Sequence, residues 1–347
     1  MVYSKVYLDD LKKVCDIIPD IEYLKDKTIL ITGANGLICS ALVDMLIELN
    51  SIKKLGITIY ICARSQEKSQ ERFRGFFSKE NVHFMKYDVN EELVLDDNID
   101  YIIHGASNAN PGTYTMYPVE TMMTNLIGMR NILEFARKSR VNRVLYISSS
   151  EVYGNKKTKE PYKEDDYYSV DILNPRACYP SSKRAAETMC ASYLKEYGVD
   201  FVIARPGHIY GPTVTETDNR ASSQFSKDVI EGHDIVMKSA GLQIRSYCYV
   251  LDCVSALLTI LIKGNSGEAY NISNRESIST IRDIAEAFAK AGECKVVFEK
   301  PSDEEKAGYN LMDNSSLASD KLEKLGWVGI FDLITGTTHT IMSMKNK

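Results

Sequence analysis

The chain has 347 residues, of which 44% are hydrophobic and 26% charged, and its formal net charge is −5. These values exclude a disordered protein and suit a folded chain that is long enough for a large core and two lobes. Lysine and arginine residues are scattered among acidic ones. The sequence therefore predicts no basic surface for a polyanion, and nucleic acid is not expected as a partner.

The N-terminal segment carries lysines and acids where a signal peptide needs an apolar core, and no nearby apolar run is long enough to cross a bilayer. We expect a cytoplasmic protein without a membrane partner, and residues 1–25 are predicted to be an N-terminal helical extension. The eight cysteines lie mostly in apolar segments, with no CxxC pair and no histidine at ligand spacing. This pattern predicts reduced core thiols and no metal site.

From residue 27 onward, short apolar runs alternate with segments of helix length. KTILIT, ITIYICA, NVHFMKYDV and IDYIIHGA are typical of buried strands, and NRVLYISSS and DFVIARP continue the series. Apolar strands separated by amphipathic helices indicate βαβ units and a parallel sheet covered on both faces. The predicted fold class is therefore α/β, a Rossmann-type doubly wound parallel sheet with a smaller C-terminal α/β lobe.

The first predicted strand runs directly into a glycine-containing turn, GANGLIC, and then into a helix. Glycines allow the tight turn and let the amides of the helix N-terminus approach a pyrophosphate. This context favours a dinucleotide-binding loop over a plain turn, although Cys39 stands at the third glycine position and should make the helix–strand packing less close. The loop residues assigned to the cofactor are Gly33, Asn35, Gly36, Leu37 and Ile38.

The ends of the second and third strands bear on the type of dinucleotide. Sites for NAD usually place an acid after the second strand to bind the ribose hydroxyls, but this strand ends at Arg64. Arg64 suits a 2′-phosphate and so favours NADP, whereas a solvated surface arginine would leave NAD open. Asp88, with its neighbour Val89, is assigned to the adenine, and a helix-capping role for Asp88 is the alternative.

After Pro206 the regular alternation of strand and helix segments is lost, which indicates that the chain forms two lobes. We assign residues 26–205 to the NAD(P)-binding domain, joined by about 244–265. Residues 206–243 and 266–347 are assigned to the smaller lobe, which we expect to bind the substrate.

A tyrosine and a lysine four residues apart, Tyr179 and Lys183, lie at the start of a predicted helix. This spacing places both side chains on one helix face, where the ammonium should lower the pKa of the phenol and make it a usable base. Tyr23 and Tyr153 also have a lysine four residues on. The first precedes strand one and the second is followed by Gly154 in a loop, so context selects Tyr179.

Three serines and a carboxylate, Ser148 to Glu151, occupy the tip of the strand YISSS. Ser149 lies where a hydroxyl can bond both a substrate oxygen and the phenol of Tyr179. The alternative is that the serines only cap a turn, which explains one serine but not the position of the cluster at the end of a central strand.

Together these segments resemble the extended short-chain dehydrogenase/reductases, in the branch of NDP-sugar epimerases, dehydratases and decarboxylases. The resemblance covers residues 27–335 through the motifs TGANGLICS, YDV, IIHGAS, YISSSEVYG, YPSSK, ARPGHIYGP and QIRSYCYVLD. Within this branch, SSSEVYG and PRACYPSSKRAAETM are most similar to UDP-glucuronate decarboxylases. The related dehydratases have an aspartate where this chain has Ser150, and since serine is a poor general acid, dehydration is disfavoured.

The resemblance implies a tightly bound NAD(P) that is recycled, with a UDP-sugar as substrate. Tyr179 would remove the proton of the sugar C4 hydroxyl, and the 4-ketone would then allow carbon dioxide to leave from C6. Lys183 would also bind the nicotinamide ribose, and Ser150 and Glu151 complete the catalytic set, with Glu151 positioning the sugar or a water. Further cofactor contacts are implied at Gly105, Ala106, Ser107, Asn125, Ser148, Tyr179, Lys183 and Pro206.

Substrate contacts are implied at Tyr114, Glu151, His208, Arg220 and Arg245. Arg245 matches a family arginine that serves the diphosphate or proton delivery, with a salt link between the lobes as its alternative. His208 replaces the asparagine usual in this branch. The resemblance also implies a homodimer packed through the helices of Asn125 and Tyr179. A 4-epimerase is the second hypothesis, and a dinucleotide-sensing binding module without catalysis is the third.

Overall fold

The computed structural model describes residues 3–75, 79–156, 158–300 and 312–345. The strands are β1 Thr28–Thr32, β2 Thr58–Ala63, β3 Val82–Lys86, β4 Tyr101–His104, β5 Arg143–Ile147, β6 Phe201–Pro206, β7 His208–Tyr210, β8 Ile235–Met237, β9 Ile244–Tyr249, β10 Ala269–Ile272, β11 Ile278–Thr280, β12 Val296–Phe298 and β13 Asn314–Ser315. The helices are α1 Lys5–Cys15, α2 Leu37–Ile52, α3 Gln66–Arg72, α4 Pro111–Met116, α5 Pro118–Ser139, α6 Cys178–Tyr197, α7 Ala221–Ile230, α8 Val250–Lys263 and α9 Ile281–Gly292, followed by Asp320–Glu323 and Leu333–Lys345. Short 3₁₀ turns lie at Ile21–Leu24, Ser150–Tyr153, Pro175–Ala177 and Arg275–Ser277.

A seven-stranded sheet forms the centre of the large lobe, within the described residues. Its order is β10-β6-β5-β4-β1-β2-β3, and every pairing in it is parallel. Apolar residues fill both faces, as a parallel sheet covered by helices requires. The strand order reverses between β1 and β4, and in such sheets ligands bind beyond the carboxyl ends of the strands at this reversal.

The small lobe is built around β9. This strand pairs with β7 and β13 in parallel and with β11 in antiparallel orientation. A separate two-stranded sheet joins β8 to β12. The small lobe therefore faces the large one through strands that begin directly after Pro206.

The position of β10 differs from the predicted boundary, which placed residues 266–347 wholly in the smaller lobe. β10 pairs with β6 and ends the large sheet, whereas β9 belongs to the small lobe instead of joining the large domain at 244. The reason lies in α8, which is buried over Val250–Leu261 and packs against α2 and the large sheet. This buried helix returns the chain to the large lobe, so that the next strand adds to its edge.

The predicted N-terminal helix is present as α1. It begins after Ser4, whose side chain accepts a hydrogen bond from the Tyr7 amide. Its buried side chains recur at helical spacing, and α1 packs against α2, α8 and the helix Leu333–Lys345. The N-terminal segment therefore contacts both lobes.

Within the four described ranges, no helix combines the length and the apolar character needed to cross a bilayer. All eight cysteines are free, and seven of them are buried. The same ranges contain no group of three or more His, Cys, Asp or Glu side chains arranged to hold a metal ion.

Candidate active site

Two adjoining cavities open beyond the carboxyl ends of the central strands. The first has a volume of about 590 Å³ and the second about 810 Å³. Both are lined by Gly33, Gly36, Gly105 and Ser107, so they are two parts of one crevice. We call them the first and the second cavity.

The glycine turn after β1 lies at the junction of the two cavities. Gly33 has φ +70°, and a Cβ there would lie 2.8 Å from the Ala106 backbone, so only glycine fits. Gly36 caps α2 without a side-chain hydrogen bond, which leaves the first amides of a 16-residue helix available to an anion. The sulfur of Cys39 fills the space that a Cβ on Gly105 would occupy.

The second cavity is lined by residues that the sequence assigned to the adenine and ribose. Arg64 is exposed at its edge, and no acid follows β2 at that point. Asp88 also lines it, but its Oδ1 accepts hydrogen bonds from the backbone and side-chain amides of Asn90, at 3.0 and 2.9 Å. Asp88 thus lines the cavity and also caps a turn, and the helix that the alternative role would require does not follow it.

The first cavity brings together the predicted catalytic residues. Tyr179 and Lys183 lie on the first turns of α6 and are 6% and 2% exposed. Ser149, which follows the end of β5, lines the same cavity, and its Oγ accepts a hydrogen bond from the Glu151 amide at 3.2 Å. Lys183 Nζ donates to the Ile147 carbonyl at 2.8 Å, and Glu151 lines the same cavity.

The charge states of this pair differ from the prediction that the ammonium makes the phenol acidic. Burial raises the pKa of Tyr179 to about 12, with the Glu151 charge acting in the same direction and the Ser149 hydrogen bond opposing it. Burial lowers the pKa of Lys183 to about 7. Because Lys183 is directed at a carbonyl and is itself desolvated, its charge does not offset the burial of the phenol, which stays protonated at neutral pH in the chain alone.

Arg176 is a residue of the first cavity that the sequence reasoning missed. Its guanidinium donates to both oxygens of Glu151, at 3.2 and 3.1 Å, and to the Tyr114 hydroxyl at 3.3 Å. The Tyr114 ring stacks on the Tyr179 ring, with centroids 5.1 Å apart. Arg176 thus holds two neighbours of the reacting phenol. Its place in PRACY, three residues before Tyr179, is the signal that could have found it.

Two further arginines line the first cavity from the small lobe. Arg220 pairs with Asp218, and Arg245 is 3% exposed. The Arg245 guanidinium donates to the carbonyls of Ile244 and Met312 at 2.8 and 2.9 Å, and within the described ranges it has no salt-bridge partner. A buried cation held only by carbonyls favours an anionic ligand.

His208 lies beside these arginines at the wall of the first cavity. Burial, followed by the charges of Arg245 and Arg220, lowers its pKa to about 3, so the imidazole is neutral. Its Nδ1 is buried and has no hydrogen-bond partner within the described ranges. The side chain thus offers a polar group to a ligand without adding charge.

Acid should destabilise the fold through the buried histidines. Burial lowers the pKa of His104, like that of His208, to about 3, whereas the unfolded chain titrates near 6.5. Between these values the unfolded state binds protons that the folded state does not, so the free energy of unfolding falls as pH drops below 6.5. Urea unfolding at pH 7 and 5 measures this loss, and His208→Asn should reduce it. Equal losses in both proteins would contradict the assignment.

The structure separates one predicted cofactor residue from the cavities. Asn125 is buried in α5, where its amide donates to Ser182 Oγ and its carbonyl accepts from Ser107 Oγ, each at 2.8 Å. Asn125 therefore holds the side chain of Ser107, which lines both cavities. The other predicted residues line one or both cavities, including Leu37, Ile38, Val89, Ala106, Ser148, Ser150 and Pro206.

The crevice fits a dinucleotide on three counts. Gly33 leaves no room for a side chain, the N-terminus of α2 faces an anion position, and Ser148 Oγ is buried without a partner in the described ranges. A tyrosine–lysine–serine set at the first cavity adds a proton acceptor to this binding site. A Rossmann-type fold with such a site defines an NAD(P)-dependent enzyme of the extended short-chain dehydrogenase/reductase class.

Comparison with known proteins gives the family. Residues 29–273 match the NAD dependent epimerase/dehydratase family. UDP-glucuronic acid decarboxylase 1 of Xenopus tropicalis is 31% identical over 329 residues, which cover 93% of this chain and 74% of that protein. UDP-glucuronic acid decarboxylase 3 of Arabidopsis thaliana is 32% identical over 302 residues, covering 86% and 83%. The chain belongs to the NAD-dependent epimerase/dehydratase family.

Solved structures agree with the fold. A UDP-glucose 4-epimerase from Thermotoga maritima has a TM-score of 0.77 at 22% identity and covers 90% of this chain and 97% of its own. A dTDP-glucose 4,6-dehydratase from Bacillus anthracis has a TM-score of 0.76 at 19% identity, with coverage of 91% and 95%. The predicted fold class and family are confirmed.

Proposed function

We propose that the chain modifies a nucleotide sugar by oxidising its C4 with a recycled NAD(P), and that it decarboxylates UDP-glucuronate. The observation that carries this proposal is the arrangement of Ser149, Tyr179 and Lys183 beside the Glu151–Arg176 pair. The first three residues suit oxidation of an alcohol. The strand tip has Ser150 at the position where related dehydratases have an aspartate, and because serine is a poor general acid, dehydration is disfavoured.

The residues of the large lobe would carry the chemical steps. In the fraction of molecules whose Tyr179 is ionised, the phenolate would accept the proton of the C4 hydroxyl, and Ser149 would hold the same oxygen by a hydrogen bond. A nicotinamide held near Ser148 and Lys183 would supply the hydride acceptor for C4 and, in its reduced form, the hydride donor. The C4 ketone is β to the C6 carboxylate, so the C5–C6 bond breaks as carbon dioxide leaves and its electrons pass into the ketone. Protonation at C5 gives the 4-keto pentose, and return of hydride to C4, with a proton from Tyr179 to the C4 oxygen, would then give the pentose.

The charges of the first cavity suit an anionic substrate. Arg220 and Arg245 would bind the diphosphate, because arginine offers a planar set of donors to phosphate oxygens. His208 would add a neutral contact beside them. Glu151 is held by Arg176 rather than released into the cavity, which limits its repulsion of a carboxylated sugar.

The dinucleotide would be held by the residues of both cavities. The turn Gly33–Gly36 and the N-terminus of α2 suit the pyrophosphate, and Lys183 suits the nicotinamide ribose. The second cavity, with Arg64 and Asp88, suits the adenosine half.

Incubation of the purified protein with UDP-glucuronate tests the proposal. We expect a sugar nucleotide that has lost carbon dioxide, measured by mass spectrometry, with no net consumption of NAD(P). A product of unchanged mass would reject decarboxylation and favour the 4-epimerase, which needs only the Ser149, Tyr179 and Lys183 set. Absence of any product from this and other UDP-sugars would favour the dinucleotide-sensing module.

We further propose that the chain prefers NADP. Arg64 lies at the edge of the second cavity, with Ser65 and Lys68 beside it. Replacing Arg64 with leucine should raise the dissociation constant of NADP about tenfold to a hundredfold, as expected for lost hydrogen bonds to a charged phosphate. The dissociation constant of NAD should change little.

The control for this measurement is Arg74→Leu. Arg74 is an exposed arginine ten residues on that lines neither cavity. Calorimetric titration of both variants with NAD and NADP separates a phosphate contact from a general charge effect. If Arg64→Leu weakens NAD and NADP equally, the preference for NADP is wrong.

Two remaining expectations are also proposals. A homodimer through α5 and α6 is supported by exposed apolar side chains on α5, among them Val119, Met122 and Met123. Light scattering tests the assembly. A cytoplasmic location is tested by cell fractionation.

A further inference from the structure

The N-terminal helix α1 is attached to the large lobe through a buried carboxylate on α2. We propose that the segment 3–15 positions the dinucleotide site, acting through Asp44 and Arg72 on the wall of the second cavity. This proposal concerns the binding of the family's dinucleotide and involves no sugar substrate. Its test is therefore independent of the proposed reaction.

Asp44 is the centre of the attachment. The hydroxyls of Tyr3 and Tyr7 donate to its two oxygens at 2.7 and 2.8 Å. Arg72 donates to both oxygens as well and also to the Tyr3 hydroxyl at 2.9 Å. The Asp44 side chain is 1% exposed and that of Arg72 13%. Two of the four donors that satisfy this carboxylate thus come from the N-terminal segment.

Arg72 connects the attachment to the cofactor site. It is the last residue of α3, the helix that follows Arg64, and it lines the second cavity with Arg64 and Lys68. The middle of α3 is tied to the glycine turn, since Ser69 Oγ donates to Asn35 Oδ1 at 3.0 Å. The Arg72–Asp44 pair fixes the far end of the same helix. The position of α3, and with it the shape of the second cavity, therefore depends on both the Ser69–Asn35 hydrogen bond and the Arg72–Asp44 pair.

Loss of the tyrosine hydroxyls would weaken the Arg72–Asp44 pair. A buried carboxylate that loses a donor is left partly unsatisfied, and the arginine paired with it becomes less fixed. Binding a dinucleotide would then have to order Arg72 and the end of α3, which lowers affinity. Neither Tyr3 nor Tyr7 lines a cavity, and the hydroxyls of both donate to Asp44, so we assign their effect on affinity to the Asp44–Arg72 pair.

The test is the dissociation constant of the dinucleotide for Tyr7→Phe and for the double variant Tyr3→Phe/Tyr7→Phe, measured by calorimetry on the full chain. We expect an increase of about threefold for the single variant and about tenfold for the double, in line with one and two lost hydrogen bonds. ADP-ribose, which keeps the adenosine half, should show the same increases. The melting temperature reports whether each variant is folded.

Tyr249→Phe is the matched control on the other side of the same helix. The Tyr249 hydroxyl donates to Asp10 of α1 at 3.2 Å, and His339 holds the same carboxylate at 2.8 Å. This variant also removes a buried hydroxyl that anchors α1, but toward the small lobe. It should leave the dissociation constant unchanged. An equal increase for Tyr249→Phe and Tyr7→Phe would mean general loosening and overturn the proposal, as would unchanged affinity in the folded double variant.

Discussion

Replacing Tyr179 with phenylalanine should lower turnover of the sugar nucleotide about a thousandfold, within the usual range for the loss of a general base. The ring is buried and stacks on Tyr114, so phenylalanine fills the same space. The variant loses only the phenolic hydroxyl. Rapid mixing with UDP-glucuronate, followed by absorbance of the reduced nicotinamide, measures the oxidation step directly.

Tyr23→Phe is the control for this experiment. Tyr23 also precedes a lysine by four residues, but its side chain is 70% exposed and lies outside both cavities. Turnover should stay at the parent level. If Tyr179→Phe also keeps parent turnover, Tyr179 is not the base. That result would favour the hypothesis of a dinucleotide-sensing binding module.

Replacing Arg176 with methionine should lower turnover about tenfold to a hundredfold, because it leaves the Glu151 carboxylate without its partner in a partly buried cavity. The Glu151 charge already raises the pKa of Tyr179. Without the guanidinium beside it, this effect grows, and a smaller fraction of the phenol ionises at a given pH. The rising limb of the pH–rate profile should therefore move to higher pH.

Glu151→Gln should shift the pH–rate profile in the opposite direction. Removing the negative charge lowers the pKa of Tyr179, so the rising limb for cofactor reduction should move to lower pH even if later steps slow. Arg282→Met is a control, since Arg282 pairs with Glu286 on the exposed face of α9 and touches neither cavity. An unshifted profile in Arg176→Met would show that Arg176 acts only on the fold.

The parts of the site that the sequence predicted are those fixed by local geometry. The glycine turn follows from one strand and one helix, and Tyr179 and Lys183 follow from the spacing of a single helix. Ser149 was found because parallel strands end at a common edge. Each inference needed only the position of a residue in its own element and the place of that element in the chain.

The parts that escaped prediction depend on distant contacts. Glu151 and Arg176 are 25 residues apart and pair across two 3₁₀ turns, Ser150–Tyr153 after β5 and Pro175–Ala177 before α6. The raised pKa of Tyr179 comes from burial by several elements, which a pairwise argument about Lys183 does not contain. The return of β10 to the large sheet likewise depends on how deeply α8 packs.

The side chains proposed to react and the arginines and histidine proposed to bind the diphosphate come from different lobes. Ser149, Tyr179 and Lys183 are held by the seven-stranded sheet and its helices, whereas His208, Arg220 and Arg245 lie in the small lobe, inserted in the chain before β10. Substitutions in the second group can therefore change which molecule is accepted while the oxidising machinery stays intact. Such a division of labour is a route by which one ancestral scaffold diversifies into catalysts with separate substrate ranges.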